Sequence, residues 1–172
     1  MIINNDLYRQ IVQVMPIPCV DIIVVDKDGQ VLLARRTNEP AKGEWWFPGG
    51  RVHYLETRLA AATRKLREEC GLEASNFFEL GVFDVIVERS DNGDKLHAIT
   101  SLFVAEVRGN TSFVLDAQNS EAEWCMPLDW LKLKLNPFIK QALTVFTRYN
   151  KEFNGQPRDF TEKRYLNYKE KS

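Results

Sequence analysis

The chain reads as an α/β protein in which helices pack on a mixed β-sheet. Three observations predict this class. Two pairs of β-rich runs are each split by turn residues, an amphipathic run with helical spacing lies between the pairs, and a second helical run follows them. The order is hairpin, helix, hairpin, helix. With 172 residues, 44% hydrophobic and 27% charged, the chain has the length and balance of one soluble domain with a core.

Each element follows from its residues. NDLYRQIVQVM suits a short helix with Leu7, Ile11 and Val14 on one side, ended by Pro16 and Pro18. CVDIIVVD is rich in β-branched residues and reads as a buried strand; DKDGQ turns the chain, and VLLARR returns as its hairpin partner. TNEPAKGEWW is a polar loop running into aromatics, and PGG is a turn. The run from residue 57 to 70 is the central helix, with Gly71 as its stop. FFELGVFDVIVE and LHAITSLFVAEV form a second hairpin around RSDNGDK. NTSFVLDAQNSEAE reads as a loop and WCM as a short last strand. PLDWLKL opens a helix on its proline, and residues 136–153 suit a closing helix with apolar positions 138, 139, 142, 143, 145 and 146. The expected organisation is one domain over 1–152 and a polar tail or arm over 153–172.

Composition narrows the partners. A formal charge of −1 gives no global field for nucleic acid or an anionic membrane, so a phosphate-bearing ligand would need local cations or a metal. No segment reaches the ~20 apolar residues of a membrane span, and the N-terminus lacks the basic start and apolar stretch of a signal peptide. Cys19, Cys70 and Cys125 are widely spaced and odd in number, against a disulfide framework or a zinc cluster. The expectation is buried, inert thiols and a reducing, cytoplasmic setting.

The segment GGRVHYLETRLAAATRKLREECGL, residues 49–72, carries the chemistry. On a wheel of about 100° per residue, Leu59, Ala62, Thr63, Leu66 and Cys70 gather on the side that packs on the sheet. Arg64 and Glu68 lie one turn apart on the opposite side, Glu69 sits at the boundary, and Lys65 projects between Glu68 and Glu69. Arg64 can bridge to Glu68 and to Glu56. Gly49 and Gly50 let the backbone bring a bare carbonyl toward these carboxylates, and oxygen ligands of this kind suit a hard cation that bridges a diphosphate. Taken alone, REE before a glycine is equally a surface helix laced with ion pairs.

The spacing as a whole, glycine, five residues, glutamate, seven residues, arginine, then LREECGL, resembles the Nudix box of Nudix hydrolases, with the box over 50–72. Gly50, Glu56, Arg64, Leu66, Glu68, Glu69, Gly71 and Leu72 fall on it, and Lys65 stands where the family usually has glutamate. RRTNEPAKGEWWFPGGRV, together with DLYRQIVQVMP and CVDII, is similar to GDP-mannose mannosyl hydrolases, and the likeness covers roughly residues 1–150. The resemblance implies a Nudix-type α/β/α sandwich, a homodimer, and Mg²⁺ (or Mn²⁺) held by Gly49, Glu69 and Gln118, with Glu68 as a further acidic ligand. It implies Tyr8 against the base, and Arg36 and Arg51 on diphosphate or sugar, for which a planar guanidinium is suited. Asp21, in an apolar strand, needs a partner such as a sugar hydroxyl or Arg36. Lys65 either lowers the number of metals bound or contacts phosphate.

The subfamily's general-base histidine, directly after the metal-binding glutamine, is replaced here by Asn119, which accepts no proton at neutral pH. A second family histidine corresponds to Val85. Carboxylate candidates for the base are Glu121 and Glu123, in the expected loop, and Glu68, with Arg64 in support. His53 and His97 are rim or structural candidates. Trp45, Trp46 and Trp124 are expected mainly in the core, with one of them able to line a nucleotide pocket. Three readings stay open: hydrolysis of a nucleoside diphosphate sugar such as GDP-mannose, at the sugar C1 or at phosphorus; a pyrophosphatase for nucleoside triphosphates or nucleoside diphosphate derivatives; and a non-catalytic nucleotide-sugar sensor.

Overall fold

The computed structural model describes residues 4–88, 95–107 and 119–153. Its elements run α1 (Asn5–Val14), β1 (Ile17–Val25), β2 (Val31–Arg36), β3 (Trp45–Trp46), β4 (Gly49–Arg51), α2 (Arg58–Cys70), β5 (Asn76–Glu88), β6 (Lys95–Glu106), β7 (Asn119–Cys125), α3 (Pro127–Trp130) and α4 (Pro137–Phe153). Of the expected tail over 153–172, Phe153 instead ends α4, and residues 154–172 lie outside the described residues.

Among the described residues the seven strands form one mixed sheet, ordered β3-β2-β1-β6-β5, with β4 also on β1 and β7 also on β2. β1 runs parallel to β6 from Ile17 opposite Ala98 to Val25 opposite Glu106. β5 and β6 form the expected antiparallel hairpin. The β1–β2 hairpin, in contrast, is paired only at Val24–Leu32 and Val25–Val31 before the strands part. The short strands β3 and β4 fill the fork, β3 against Ala34 and Arg35 and β4 against Cys19 to Asp21. This fork places the candidate site.

Two apolar layers enclose the sheet. On one face Ile23, Leu33, Val104 and Trp130 pack with Phe138, Ile139, Leu143 and Phe146 of α4. On the other, Val20, Ile22, Leu32 and Phe103 pack with Ala61, Ala62, Leu66 and Cys70 of α2. The arrangement has the mixed sheet and packed helices that the residue pattern implies, and it is the α/β/α sandwich that the resemblance implies. The period-3.6 spacing in 136–153 and Pro127 at the first helical position both appear as read.

Several local expectations are corrected. The PGG segment is not a free turn, because Gly49–Arg51 pairs with β1. Trp45–Trp46 is likewise a strand rather than the end of a loop. Residues 119–123, expected as loop, belong to β7, where the open edge of β2 takes them into antiparallel register; residues 110–118 of that run lie outside the described residues. In α1, Leu7 and Val14 are exposed, while Tyr8, Ile11 and Val12 are the half-buried positions. In α2, Thr63 is exposed and Ala61 takes its place inside. Among the thiols only Cys70 is fully buried; Cys19 and Cys125 are half-buried, and none of the three is in a disulfide.

Gly49 shows why the strand needs glycine. A Cβ there would lie 2.4 Å from the Val20 carbonyl oxygen and 2.9 Å from Asp21 Oδ1. Backbone is the obstacle, so β4 would have to leave β1. At Gly81 a Cβ would meet nothing closer than Phe83 at 3.5 Å, an ordinary contact. Gly49→Ala is therefore expected to cost about 1–3 kcal/mol or more in urea denaturation, against well under about 1 kcal/mol for Gly81→Ala. Equal costs would refute the close approach of β4 to β1.

Candidate active site

A thirteen-residue helix whose ends are both fixed positions the site. The Thr57 hydroxyl accepts from the Ala60 amide at 3.1 Å, and Gly71 closes the helix in the left-handed conformation at φ 65°. Arg58 donates to Glu79 at 2.5 Å and to Ser101 at 2.7 Å, anchoring the first turn to β5 and β6. Nothing in the sequence pattern marked that anchor, since its partners are more than twenty residues away.

Arg64 is the organising cation of the outer face. Its Nε and Nη2 donate to the two oxygens of Glu56 at 2.7 and 2.8 Å, its Nη1 to Glu68 at 3.1 Å, and its Nη2 also to the Arg51 carbonyl at 3.1 Å. One guanidinium thus ties the helix to the loop before it and to β4, the fork geometry that arginine supplies and lysine does not. The His53 amide also donates to Glu56, at 2.9 Å. These bonds, Arg64 first, hold the Glu56 carboxyl down from its ordinary 4.5 to about 2.

Behind this lattice the charge pattern turns inward. Lys65 and Glu69 are buried, not at the boundary of the helix, with their charged ends 2.5 Å apart. The second Glu69 oxygen accepts from the Gly49 amide at 3.1 Å, and Lys65 also reaches Glu68 at 3.4 Å. The bare Cα of Gly50, at φ 153°, makes room for the lysine stem: a Cβ there would lie 3.0 Å from Lys65 Cε.

In front lies a cavity of about 420 Å³, within the size range of small-molecule sites. Tyr8, Asp21, Arg36, Gly49, Arg51, Arg64 and Glu68 line it, so the structure brings together most of the positions singled out from sequence. Lys65, Trp46, Val85 and His53 also contribute. Four cationic side chains, Arg36, Arg51, Arg64 and Lys65, face it against the carboxylates of Asp21, Glu39 and Glu68. Here are the local cations that a chain of net charge −1 needs in order to hold phosphate. The Arg51 guanidinium lies 4.4 Å from the centre of the Tyr8 ring, so α1 and β4 share one stacked pair at the rim.

Asp21 finds partners other than those expected. Its carboxylate accepts from Thr100 at 2.6 Å and from the Trp46 indole at 3.1 Å, across the fork of the sheet. Burial pushes it up to about 6, against those two hydrogen bonds and the charge of Arg36. Arg36 donates its Nε to the Pro40 carbonyl at 2.8 Å. Burial likewise pushes the Cys19 thiol up to about 12, so it is no nucleophile at neutral pH.

Other candidates lie apart. Glu121 and Glu123 sit on β7 opposite Arg35 and Leu33, and Glu121 faces Arg35 at 3.5 Å; neither lines the cavity. Strand pairing, not a loop, fixes them there. Asn119 is in β7 register opposite Arg36. His97 pairs with Asp84 at 3.0 Å, away from the cavity. Gln118 lies outside the described residues. Glu39, which no pattern marked, is at the cavity wall.

A family model for the NUDIX domain matches residues 15–146, and the chain belongs to the Nudix hydrolases. It is 35% identical over 121 residues to the low-salt glycan biosynthesis protein Agl8 of Haloferax volcanii, covering 69% of this chain and 76% of that one. It is 32% identical over 125 residues to the CTP pyrophosphohydrolase of Escherichia coli, covering 72% and 86%. The MutT protein of Methanosarcina mazei Go1 shares the fold at a TM-score of 0.69 and 22% identity, over 80% of this chain and 98% of that one.

Nudix hydrolases generally use Mg²⁺ or Mn²⁺. Glu68, Glu69 and the Gly49 backbone offer oxygen donors alone, and by that chemistry they fit a hard cation. No group of three or more His, Cys, Asp or Glu side chains suited to an ion occurs among the described residues.

The Glu56 pairing has a pH signature. Its lowered carboxyl adds stability that is present above about pH 4.5 and is lost as pH falls toward about 2. Urea denaturation should show Glu56→Gln weaker than the parent at neutral pH, with the gap closing across that window. A gap independent of pH would contradict the pairing.

Proposed function

We propose that the chain hydrolyses a nucleoside diphosphate sugar, with GDP-mannose the nearest candidate. The single observation behind this reading is the cavity in which Tyr8 and Arg51 meet Arg36, Arg64 and Glu68. It offers an aromatic face for a base and guanidinium groups for a diphosphate. The name of the Haloferax volcanii relative, a glycan biosynthesis protein, supports a sugar-linked substrate.

In this reading Tyr8 packs on the base, Arg36 and Arg51 bind the diphosphate, and Asp21 helps shape the sugar pocket through its bridge to Trp46 and Thr100. Gly49, Glu68, Glu69 and Gln118 would hold Mg²⁺ or Mn²⁺, which when bound would supply positive charge for the departing phosphates. Arg64 keeps the Glu68 carboxylate at the cavity wall, where it can take a proton from water. The unit is residues 1–152, working as a homodimer in the cytoplasm on a small molecule, without nucleic acid or membrane as partner.

A second reading places water attack at phosphorus in a nucleoside triphosphate or nucleoside diphosphate derivative. Two observations favour it. Val85 lines the cavity where a histidine of the sugar-carbon reaction would stand, and Glu68 is the carboxylate of the box that faces the cavity. The name of the Escherichia coli CTP relative points the same way.

Incubation in ¹⁸O water with a panel of nucleoside diphosphate sugars and nucleoside triphosphates, with Mg²⁺ present, separates the two. Label in free sugar marks attack at C1, and label in a monophosphate marks attack at phosphorus. Tight binding without turnover of any member would mean a sensor. In the same assay Glu69→Gln should lose about 100-fold or more of turnover, as expected when a group that holds the reacting centre is removed, while keeping its circular dichroism spectrum. Undiminished turnover would refute the assignment of Glu69.

A further inference from the structure

Lys65 is the one position where the box departs from the family pattern, and the structure shows what the departure does. Its ammonium lies 2.5 Å from Glu69 Oε1 and 3.4 Å from Glu68 Oε2. A hard divalent ion sits about 2.0–2.6 Å from the carboxylate oxygens that bind it. A divalent ion drawing on these carboxylate oxygens would compete with Nζ for them and would meet a positive charge there.

The lysine is also built in. Its side chain is only 9% exposed. The stem crosses the bare Cα of Gly50, where a Cβ would lie 3.0 Å from Cε and 3.4 Å from Cδ. Glu69 is held from its other side by the Gly49 amide, so the pair is fixed against β4 and not merely closed on itself. Lys65 nonetheless lines the cavity, beside Arg64 and Glu68.

We propose that Lys65 is a resident cation of the box: it competes for the carboxylate oxygens of Glu68 and Glu69 on which a divalent ion would draw, limits the box to a single divalent ion, and presents its own charge to the substrate's diphosphate. A compact, strongly hydrated ammonium with three donors can hold Glu68 and Glu69 and still offer a hydrogen to a phosphate oxygen. The proposal rests on the reading above that a divalent ion binds at the box, yet it requires no particular nucleotide.

Manganese titration of the intact protein without nucleotide, followed by electron paramagnetic resonance of free Mn²⁺, tests it. The parent should hold no more than one ion per chain at the box. Lys65→Glu should bind one ion more, and its first ion about tenfold or more tighter. Lys65→Gln, which removes the charge but keeps a polar group of similar reach, should tighten binding in the same direction and carries the test if Lys65→Glu does not fold. Equal stoichiometry and affinity in the parent and the variants, with zero ions throughout included, would overturn the proposal, as would two tightly bound ions in the parent. A failed turnover screen leaves this titration unaffected, so the two claims fail separately.

Discussion

The carboxylate of Glu69 is the joint on which the site depends. It takes the Gly49 amide on one oxygen and the Lys65 ammonium on the other. Through the first contact, helix α2 is fixed to strand β4; through the second, a charge is fixed inside the box. A buried ion pair is not automatically stabilising, because desolvation of both partners opposes their attraction. What it supplies is a fixed position. Strand β4 is seated on β1 by glycine at 49, the helix is seated on β4 by Glu69, and Arg64 then closes the outer face by gripping Glu56, Glu68 and the Arg51 carbonyl.

The sheet prepares the space that this joint borders. β1 and β2 separate after two residue pairs, and β3 and β4 enter the fork from opposite strands. The Trp46 indole reaches Asp21 across the opening and Thr100 reaches it from the neighbouring β6, so a polar group deep in an apolar strand is satisfied by the protein itself. The result is a cavity with guanidinium groups on its walls, an aromatic ring at its rim and a carboxylate of α2 on one side. The family's fold thereby acquires a local electrostatic character that the chain's net charge does not suggest.

Much of this was legible in the residues. The hairpin–helix–hairpin–helix order came from β-branched runs, turn residues and helical spacing, which depend on local geometry alone. The Arg64 bridge to Glu68 also followed from spacing, because side chains one turn apart on a helix meet whatever surrounds them, and the bridge to Glu56 followed from the place of that residue at the helix entry. What could not be read depended on long-range pairing. Residues 119–123 are polar enough for a loop and become a strand only because β2 offers an open edge. A wheel puts Glu69 at the boundary of the helix and Lys65 between the two glutamates; packing of α2 under β4 turns both inside. Asp21 announced a need for partners, but Thr100 lies seventy-nine residues away and nothing in the chain pointed to it.

The central claim is that Lys65 and Glu69 act as one unit holding the box to the sheet. A double-mutant cycle in urea denaturation, with Lys65→Met, Glu69→Leu and both together, measures it directly. The account predicts that each single variant, in which one buried charge has lost its nearest counter-charge, loses more than the pair loses together, with a coupling of about 1–3 kcal/mol. Strictly additive losses would contradict it.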